Sequence, residues 1–249
     1  MCRILAYASR VPVGLSDLLG AGDLAAFTRL AARHADGWGF AWADDTGVRT
    51  FRSPDAAHLS PRFAELSHRR RTDLGLAHVR RRTHGATSEV NTHPFTDGTA
   101  AFVHNGTIHG AEALDERIPD DLAALRAGST DSERYALATF AEARRSGPAA
   151  GLAATAAHIA ATLDHSSANA ALITDDLLVA VSRYRPEAEA AETEPEYYHL
   201  RYRVTPDAVV LASSGWGSGW RTLGNGELLV VHRRTLAVEV HAIDTLVPA

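Results

Sequence analysis

Hydrophobic and polar positions along the chain predict two blocks of strands separated by a block of helices. Residues 2–8 form a short, mostly apolar run that is typical of a buried strand. Apolar segments at 40–42 and 48–51 flank the turn sequence at 44–47, which predicts a hairpin. Similar runs predict further strands at residues 74–79, 100–103, 170–174, 177–182, 197–204, 208–212, 228–231 and 236–240.

Three regions have the spacing of apolar residues that is typical of helices, and they lie at 23–35, 54–68 and 111–163. Asp23 and Ser53 are the expected caps of the first two helices. In the third region the clearest helix begins at Asp131. Residues 12–23 are expected to form turns, and 186–195 an exposed loop or a short helix.

The order of strands, helices and strands is that of an α+β fold and not the alternation of a doubly wound sheet. No repeat, low-complexity segment or domain boundary is evident, so residues 2–249 are expected to form one domain. With 45% hydrophobic and 22% charged residues, the composition is that of an ordinary globular protein.

Charge and cysteine content narrow the class of protein further. The net charge of −5 gives no basic surface for nucleic acid or an anionic membrane. A single cysteine cannot form an internal disulfide, which fits a reducing compartment. The sequence starts with no leader pattern, and no apolar run approaches the roughly 18 residues that span a bilayer. A cytoplasmic protein is therefore expected.

Cys2, the only cysteine, is the first candidate for chemistry. If Met1 is removed, the thiol and the free α-amine belong to one residue, which then supplies a nucleophile and a base. The amine has a reference pKa of about 7.7–8, so much of it is neutral near pH 7. The alternative is that Cys2 is a small buried apolar residue. Position alone does not separate these interpretations.

Three further polar positions suit an amidohydrolase. Asn105 and Gly106 end a predicted strand, where a side-chain amide and a backbone N–H can stabilise an oxyanion, although Asn-Gly is also a common turn. Arg80 ends another strand and can clamp a carboxylate. The five neighbouring arginines at 69–71 and 81–82 are expected to be solvated. Asp131 is either a helix cap or a partner for a substrate ammonium group.

As a set, these residues resemble the class II glutamine amidotransferase family. The matching segments are Cys2, Asp36-Gly37-Trp38-Gly39, Arg80 with Thr83-His84-Gly85, Asn91-Thr92-His93-Pro94-Phe95, His104-Asn105-Gly106 and Thr130-Asp131-Ser132-Glu133. They lie between residues 2 and about 135. The later segments Ala212-Ser213, Trp220-Arg221 and Gly226-Glu227-Leu228 resemble the single-domain members.

The resemblance implies a four-layer αββα sandwich of two antiparallel sheets, the N-terminal-nucleophile hydrolase fold. It implies that Cys2 is the nucleophile and that Asn105 and Gly106 form the oxyanion hole. It implies that Arg80 and Asp131 bind the α-carboxylate and α-amine of the glutamyl group. Four other residues match positions in or beside that pocket, namely Thr83, His93, Trp38 and Gly39.

The resemblance also implies the reaction class, which is cleavage of a γ-glutamyl amide bond through an acyl-enzyme. The substrate is either free glutamine, with ammonia passed to a separate synthase, or a γ-glutamyl metabolite, as in the members that act in ergothioneine biosynthesis. The chain ends where amidotransferases continue into a synthase domain, which favours simple hydrolysis. Arg81 stands where many members have an aromatic residue on a closing loop, so the closing mechanism does not transfer.

Three other expectations complete the sequence analysis. Trp216 and Trp220, in the glycine-rich segment 213–220, are candidates for a lid or leaving-group contact. If Met1 is retained, the protein is an inactive glutamine-binding accessory subunit. Metal hydrolysis is disfavoured because the histidines between 78 and 109 lack a helical His-x-x-x-His pair with a nearby glutamate, so no metal or cofactor is expected.

Overall fold

In a computed structural model, the chain forms two antiparallel sheets stacked face to face, with helices on both outer sides. The structure describes residues 2–30, 32, 34–83, 85–192, 194, 196–214 and 218–247. The strands are β1 (Arg3–Val13), β2 (Trp38–Asp44), β3 (Gly47–Ser53), β4 (Thr72–Val79), β5 (Phe95–Thr96), β6 (Ala101–Asn105), β7 (Asn169–Ile173), β8 (Leu177–Ser182), β9 (Leu200–Val204), β10 (Ala208–Ala212), β11 (Arg221–Leu223), β12 (Glu227–His232) and β13 (Val238–Ala242). The helices are α1 (Leu15–Leu30), α2 (Pro61–Arg69), α3 (Asp120–Ala123), α4 (Asp131–Ser146), α5 (Pro148–Thr162) and α6 (Pro186–Ala190).

The first strand of the chain lies in the middle of one of the two sheets. The first sheet has the order β11-β9-β10-β1-β4-β2-β3, and the second has the order β13-β12-β8-β7-β6-β5. In the first sheet, β1 pairs antiparallel with β4 on one side and with β10 on the other. Residue 2 therefore lies at the end of a central strand.

Side-chain alternation along β1 builds two separate cores. Ile4, Ala6 and Ala8 face the second sheet, whereas Leu5 and Tyr7 face α1 and α2. On the other side of the molecule, α4 and α5 pack on the outer face of the second sheet. The result is the layer order helix, sheet, sheet, helix, and the predicted α+β class and four-layer sandwich are confirmed.

The first helix differs from its prediction. It begins at Leu15, within the segment expected to form turns, and ends at Leu30 rather than residue 35. Gly20, with φ 75° and ψ 163°, interrupts the helical backbone and kinks it. The first turn forms because Leu15 and Leu19 are buried against the first sheet, a contact that local spacing does not reveal.

The second helix was predicted with the wrong cap. Ser53 ends β3, and its hydroxyl donates to Asp55 at 2.8 Å instead of capping a helix. A short 3₁₀ turn at Ala57–Leu59 follows. The α-helix begins at Pro61, and the Ser60 hydroxyl caps it by accepting the Phe63 N–H at 3.3 Å.

Strand boundaries in the second half shift by a few residues. β9 begins at Leu200 rather than 197, because Tyr197 and Tyr198 donate their N–H groups to the Glu189 carboxylate. β13 begins at Val238, because Leu236 has a positive φ of 56° in the preceding turn. The short strands β5 and β11 were not predicted, and the 186–195 segment contains the short helix α6.

Gly39 in β2 offers a test of how closely the chain packs at one end of the first sheet. A Cβ at this position would lie 2.2 Å from the His93 carbonyl oxygen and 2.8 Å from that of Phe51. Since backbone atoms cannot move aside cheaply, we expect Gly39→Ala to lower the free energy of unfolding by about 3 kcal/mol. Urea denaturation measures this change.

Gly22 in α1 is the matched control for that substitution. A Cβ there meets no atom within 4 Å, and alanine is the better helix former by about 1 kcal/mol. We expect Gly22→Ala to be neutral or stabilising. If the two variants unfold at the same urea concentration, β2 does not approach His93 as closely as described.

Candidate active site

The site is built on two strand ends that point into the space between the sheets. Along β1, Cys2 lies on the same side as Ile4, which belongs to the core between the sheets. Along β6, Asn105 lies on the same side as Val103, which belongs to the same core. The two residues predicted as nucleophile and oxyanion donor therefore share one interface.

A short series of contacts connects these strand ends. The backbone N–H of Arg81, just after β4, donates to Cys2 Sγ at 3.3 Å. Two residues later, Thr83 Oγ1 accepts a hydrogen bond from Thr107 Oγ1 at 3.2 Å, and Thr107 lies just after β6. The loop after β4 thus bridges from the thiol to the end of the second sheet.

Burial sets the protonation state of the Cys2 thiol. The residue is 9% exposed, and its burial raises the thiol pKa above the ordinary value, which the Arg81 N–H bond opposes. The thiol hydrogen can donate to the Arg81 carbonyl at 3.5 Å. A thiol with a raised pKa is protonated near neutral pH, so attack on a carbonyl requires a base to remove its proton.

Arg80 and Asp131 lie close enough to Cys2 to act on its charge, in opposite directions. The Arg80 guanidinium lowers the pKa of the thiol, and the Asp131 carboxylate raises it. Asp131 also opposes the lowering of the Arg80 pKa. One cationic and one anionic side chain therefore lie near enough to the thiol to influence its pKa.

Arg80 is the buried member of the two arginine runs. It is 3% exposed, whereas Arg69–Arg71, Arg81 and Arg82 are exposed as predicted. Its Nη1 donates to the carbonyls of Asp36 and Ala86 at 3.4 and 3.3 Å, and its N–H donates to the Gly37 carbonyl at 2.8 Å. Burial lowers its pKa, while the nearby Cys2 and Asp36 oppose that shift.

Asp131 is not the cap of α4. Thr130 is the cap, and its hydroxyl accepts the Glu133 N–H at 3.1 Å. Asp131 is the first helical residue, and its Oδ2 accepts the N–H of Ile108 at 2.8 Å. Its carboxylate therefore anchors the chain just beyond the end of β6 to the start of α4.

Asn105 and Gly106 lie in a closely packed part of the chain at the end of β6. Asn105 is 2% exposed, and within the described part of the chain its Oδ1 has no hydrogen-bond partner. A Cβ at Gly106 would lie 1.8 Å from the Ser167 carbonyl oxygen, so this position accepts only glycine. Thr107 and Ser166 hold the same loop, since Thr107 N–H donates to Ser166 Oγ at 3.1 Å.

Behind these residues lies a cluster of buried histidines. His78 and His93 stack with ring centroids 4.2 Å apart, and both are almost completely buried. Burial lowers the pKa of His78 to about 3 and places the pKa of His93 well below its ordinary value. Both imidazoles are therefore neutral, so they add no charge next to Arg80.

His104 belongs to this cluster and has a defined tautomer. Its Nε2 lies 2.9 Å from the Ser167 carbonyl, which can only accept, so Nε2 carries the hydrogen. Its Nδ1 then accepts from the Ser132 hydroxyl at 2.9 Å. These two bonds tie β6 to the first turn of α4 and to the segment before β7.

The other predicted pocket residues occupy different environments. Thr83 is exposed and touches Thr107, beside the space that Cys2 faces. His93 is enclosed by His78 and Phe95, so it forms a wall of the cluster rather than an open surface. Gly39 is needed for the close approach of β2 to His93, not for contact with a ligand.

The structure describes two of the three tryptophans named in the sequence analysis. Trp38 is fully buried among Phe40, Phe51 and Phe63 on the helical side of the first sheet, so its ring is not accessible to a substrate. Trp220 is half-buried and packs against the same helical-side core, with the Arg203 guanidinium 4.9 Å from its ring centroid. Trp216 lies outside the described residues.

Arg3 is a residue next to the nucleophile that the sequence analysis missed. It is 4% exposed, and its Nη1 donates to the Cys2 carbonyl at 3.4 Å. Its guanidinium also bonds to Glu194 at 3.2 Å and lies 4.8 Å from the Tyr197 ring centroid. The sequence did contain a signal for a buried, functional arginine here, because Arg3 is a charged residue inside the first apolar run.

Comparison with known proteins identifies the family of the chain. The family model of class II glutamine amidotransferases matches residues 1–243. The chain belongs to the class II glutamine amidotransferases. The members of this family are enzymes that hydrolyse or transfer the amide group of glutamine.

Individual relatives extend this picture. A probable glutamine amidotransferase of Saccharomyces cerevisiae, DUG3, is 30% identical over 153 residues, which cover 53% of this chain and 43% of that protein. The matched stretch covers less than half the length of this relative, and the same holds for two further curated relatives.

Solved structures share the fold. A glutamine aminotransferase class-II domain protein from Silicibacter pomeroyi superposes with a TM-score of 0.69 at 22% identity, covering 97% of this chain and 99% of that one. A glutamine phosphoribosylpyrophosphate amidotransferase from Bacillus subtilis gives 0.63 at 16% identity, covering 97% and 49%. At these identities the likeness establishes the fold alone.

The described residues contain neither a candidate membrane-spanning helix nor a candidate metal site. None of the helices in the described part of the chain has the length and apolar character needed to cross a bilayer. In the same residues, no group of three or more histidine, cysteine, aspartate or glutamate side chains is arranged to hold a metal ion.

The buried His78 predicts how stability depends on pH. Its pKa is about 3 in the folded protein and 6.5 as the reference value, so between these values the unfolded chain binds a proton that the folded chain excludes. Lowering the pH below 6.5 therefore favours unfolding. For such a group, the free energy of unfolding changes by about 1.4 kcal/mol per pH unit in this range. We expect His78→Gln to reduce the slope by about that amount, measured by urea unfolding at several pH values.

The control for this experiment is His58→Gln, which removes an exposed imidazole. We expect this variant to keep the wild-type slope. An unchanged slope in His78→Gln would mean that His78 binds its proton equally well in the folded and unfolded protein. Comparing slopes rather than midpoints separates this effect from any packing loss.

Proposed function

We propose that this protein hydrolyses the γ-glutamyl amide bond of glutamine or of a γ-glutamyl conjugate, with Cys2 as nucleophile and glutamate as a product. The observation that carries the proposal is the buried Cys2 thiol, which accepts the Arg81 N–H at 3.3 Å directly after the buried Arg80 at the end of β4. The opposite effects of Arg80 and Asp131 on the thiol pKa support it. Membership of the class II amidotransferases supports the reaction class.

The raised pKa of the thiol supports the N-terminal amine as base. Removal of Met1 frees an α-amine on the same residue, and its reference pKa of about 7.7–8 leaves much of it neutral near pH 7. The amine takes the thiol proton as Cys2 Sγ bonds to the substrate carbonyl carbon. Arg3 supports this geometry, because its guanidinium holds the Cys2 carbonyl.

Asn105 and Gly106 are the proposed oxyanion hole. The side-chain amide of Asn105 and the N–H of Gly106 donate to the oxygen that gains charge when Sγ attacks. Collapse of this intermediate breaks the carbon–nitrogen bond, and the leaving nitrogen takes the proton from the α-amine. Water then attacks the thioester, which releases glutamate and restores the thiol.

The charged pair is the proposed binding site for the glutamyl head group. The Arg80 guanidinium is suited to the α-carboxylate, and the Asp131 carboxylate to the α-ammonium. Thr83, which is exposed beside Thr107, is available as a further hydrogen-bond donor. In this proposal His93 does not bind the substrate. Its neutral imidazole lies behind the pocket and adds no charge beside Arg80 and Asp131.

The decisive test is glutamate release by the full chain, offered free glutamine beside a panel of γ-glutamyl amides and thiol conjugates. We expect release that disappears in Cys2→Ala and requires loss of Met1, which intact mass reports. Fast release from glutamine favours an ammonia-supplying subunit with a separate synthase partner, and release mainly from conjugates favours a deprotecting hydrolase. No release from any substrate by the Met1-processed protein would refute the proposal.

Asn105→Ala tests the oxyanion hole specifically. We expect kcat to fall by roughly 10²–10³, because one preorganised donor is lost in the transition state, while KM changes little. Steady-state kinetics measures both constants, and circular dichroism checks the fold. A loss of only a few-fold in Asn105→Ala would make Asn105 a structural residue.

A further inference from the structure

A second cavity lies on the other side of the segment that supports the proposed oxyanion loop. Its volume is about 400 Å³, and it lies between the end of α5 and the chain that follows β8. The polar residues in its wall are His165, Arg183, Tyr184, Arg185 and Asn225, and Ala160 and Leu163 of the α5 region form its apolar side. We call it the Arg183 cavity.

The backbone around Arg183 is firmly held. Its N–H donates to Asn169 Oδ1 at 2.7 Å, and its carbonyl accepts the Ala168 N–H at 2.7 Å. The next residue, Tyr184, exchanges two hydrogen bonds with the Asn225 side chain, at 3.0 and 2.9 Å. The cavity wall is therefore a preformed structure.

The Arg183 side chain is the unusual part of this wall. It is half-buried, and among the residues that the structure describes no carboxylate lies within ion-pair distance of its guanidinium. By contrast, the neighbouring Arg185 forms an ion pair with Asp164. A half-buried guanidinium without a counterion favours a bound anion, because an anion restores the interactions that partial burial removes.

The surroundings limit where the anion lies. A smaller adjoining cavity of about 290 Å³ shares Ala160 and Arg183 but contains Asp244, whose carboxylate repels an anion. The carboxylate of Asp164, between the wall residues Leu163 and His165 in the chain, is ion-paired with Arg185. His165 donates from Nδ1 to the Leu163 carbonyl at 2.9 Å, which fixes its ring in the wall. The favourable position for negative charge is therefore on the Arg183 side of the larger cavity.

We propose that the Arg183 cavity binds a small oxyanion, the phosphate or carboxylate end of a metabolite, at a site separate from the glutamyl pocket. Its volume falls in the range of about 300–1,000 Å³ that is usual for small-molecule sites. The guanidinium offers the two-point geometry that suits both anions. This site goes beyond the proposed function and does not depend on it.

The position of the cavity connects it to the active site. His165 is followed by Ser166, which bonds to Thr107 in both directions, at 3.1 and 2.9 Å. Ser167 in turn accepts from His104 Nε2 at 2.9 Å. An anion in the Arg183 cavity therefore shares a wall with His165, which lies one or two residues from the groups that hold the loop after β6.

Isothermal titration calorimetry of the full chain with inorganic phosphate and with glutarate tests the proposal, against sodium chloride at matched ionic strength. We expect saturable binding of at least one probe, and the better probe identifies whether phosphate or carboxylate is preferred. Arg183→Gln should weaken that binding by about tenfold or more, since it removes a charge-assisted bond. Arg234→Gln, at an arginine that is largely exposed, should bind like the wild type.

Arg80→Gln separates the two anion sites. Binding that survives in this variant and is lost in Arg183→Gln supports the proposal, whatever the outcome of the activity tests. Equal affinity of Arg183→Gln and wild type, loss of binding in Arg80→Gln alone, or no saturable binding of either probe overturns it.

A second pair of variants covers the case in which Arg183→Gln does not fold. Ala160→Glu puts a carboxylate in the wall of the cavity and should abolish anion binding, whereas Ala160→Gln adds nearly the same volume without charge and should bind more tightly than Ala160→Glu. Equal binding by these two variants overturns the proposal.

Discussion

The packing of the two sheets against each other is the constraint on which the site depends. Many of the side chains between them are alanines, including Ala6 and Ala8 of β1 and Ala101 of β6. Such small residues let two sheets approach closely and leave little freedom to slide. Because β1 and β6 end at this interface, their packing fixes the relative position of Cys2 and Asn105.

Several of the motif residues hold this frame in place. Gly37 packs against Thr92, and Gly39 packs against His93. A Cβ at each glycine would collide with that neighbour. Asn91 joins two loops, since its Nδ2 donates to the Ala86 carbonyl and its Oδ1 accepts the Ser129 N–H. These contacts position the start of the loop that carries Arg81 and its bond to the thiol.

The electrostatics of the site follow from burial. The thiol is held protonated, and the histidines behind it are held neutral. Arg80 and Asp131 are two charged side chains that act on the thiol pKa, and they act in opposite directions. A pocket with one cation, one anion and neutral walls suits a zwitterionic head group, and a protonated thiol suits a mechanism in which the base is part of the nucleophile's own residue.

The sequence by itself determined the class of fold, most of the strands and the family. These follow from local information, namely apolar periodicity and the spacing of motifs. Only the tertiary structure decided which arginine is buried, that Thr130 rather than Asp131 caps α4, and that Trp38 faces the helical layer. Burial depends on partners far away in the chain, as when Ser213 accepts the Ile4 N–H at 2.9 Å, and local patterns carry no record of such contacts.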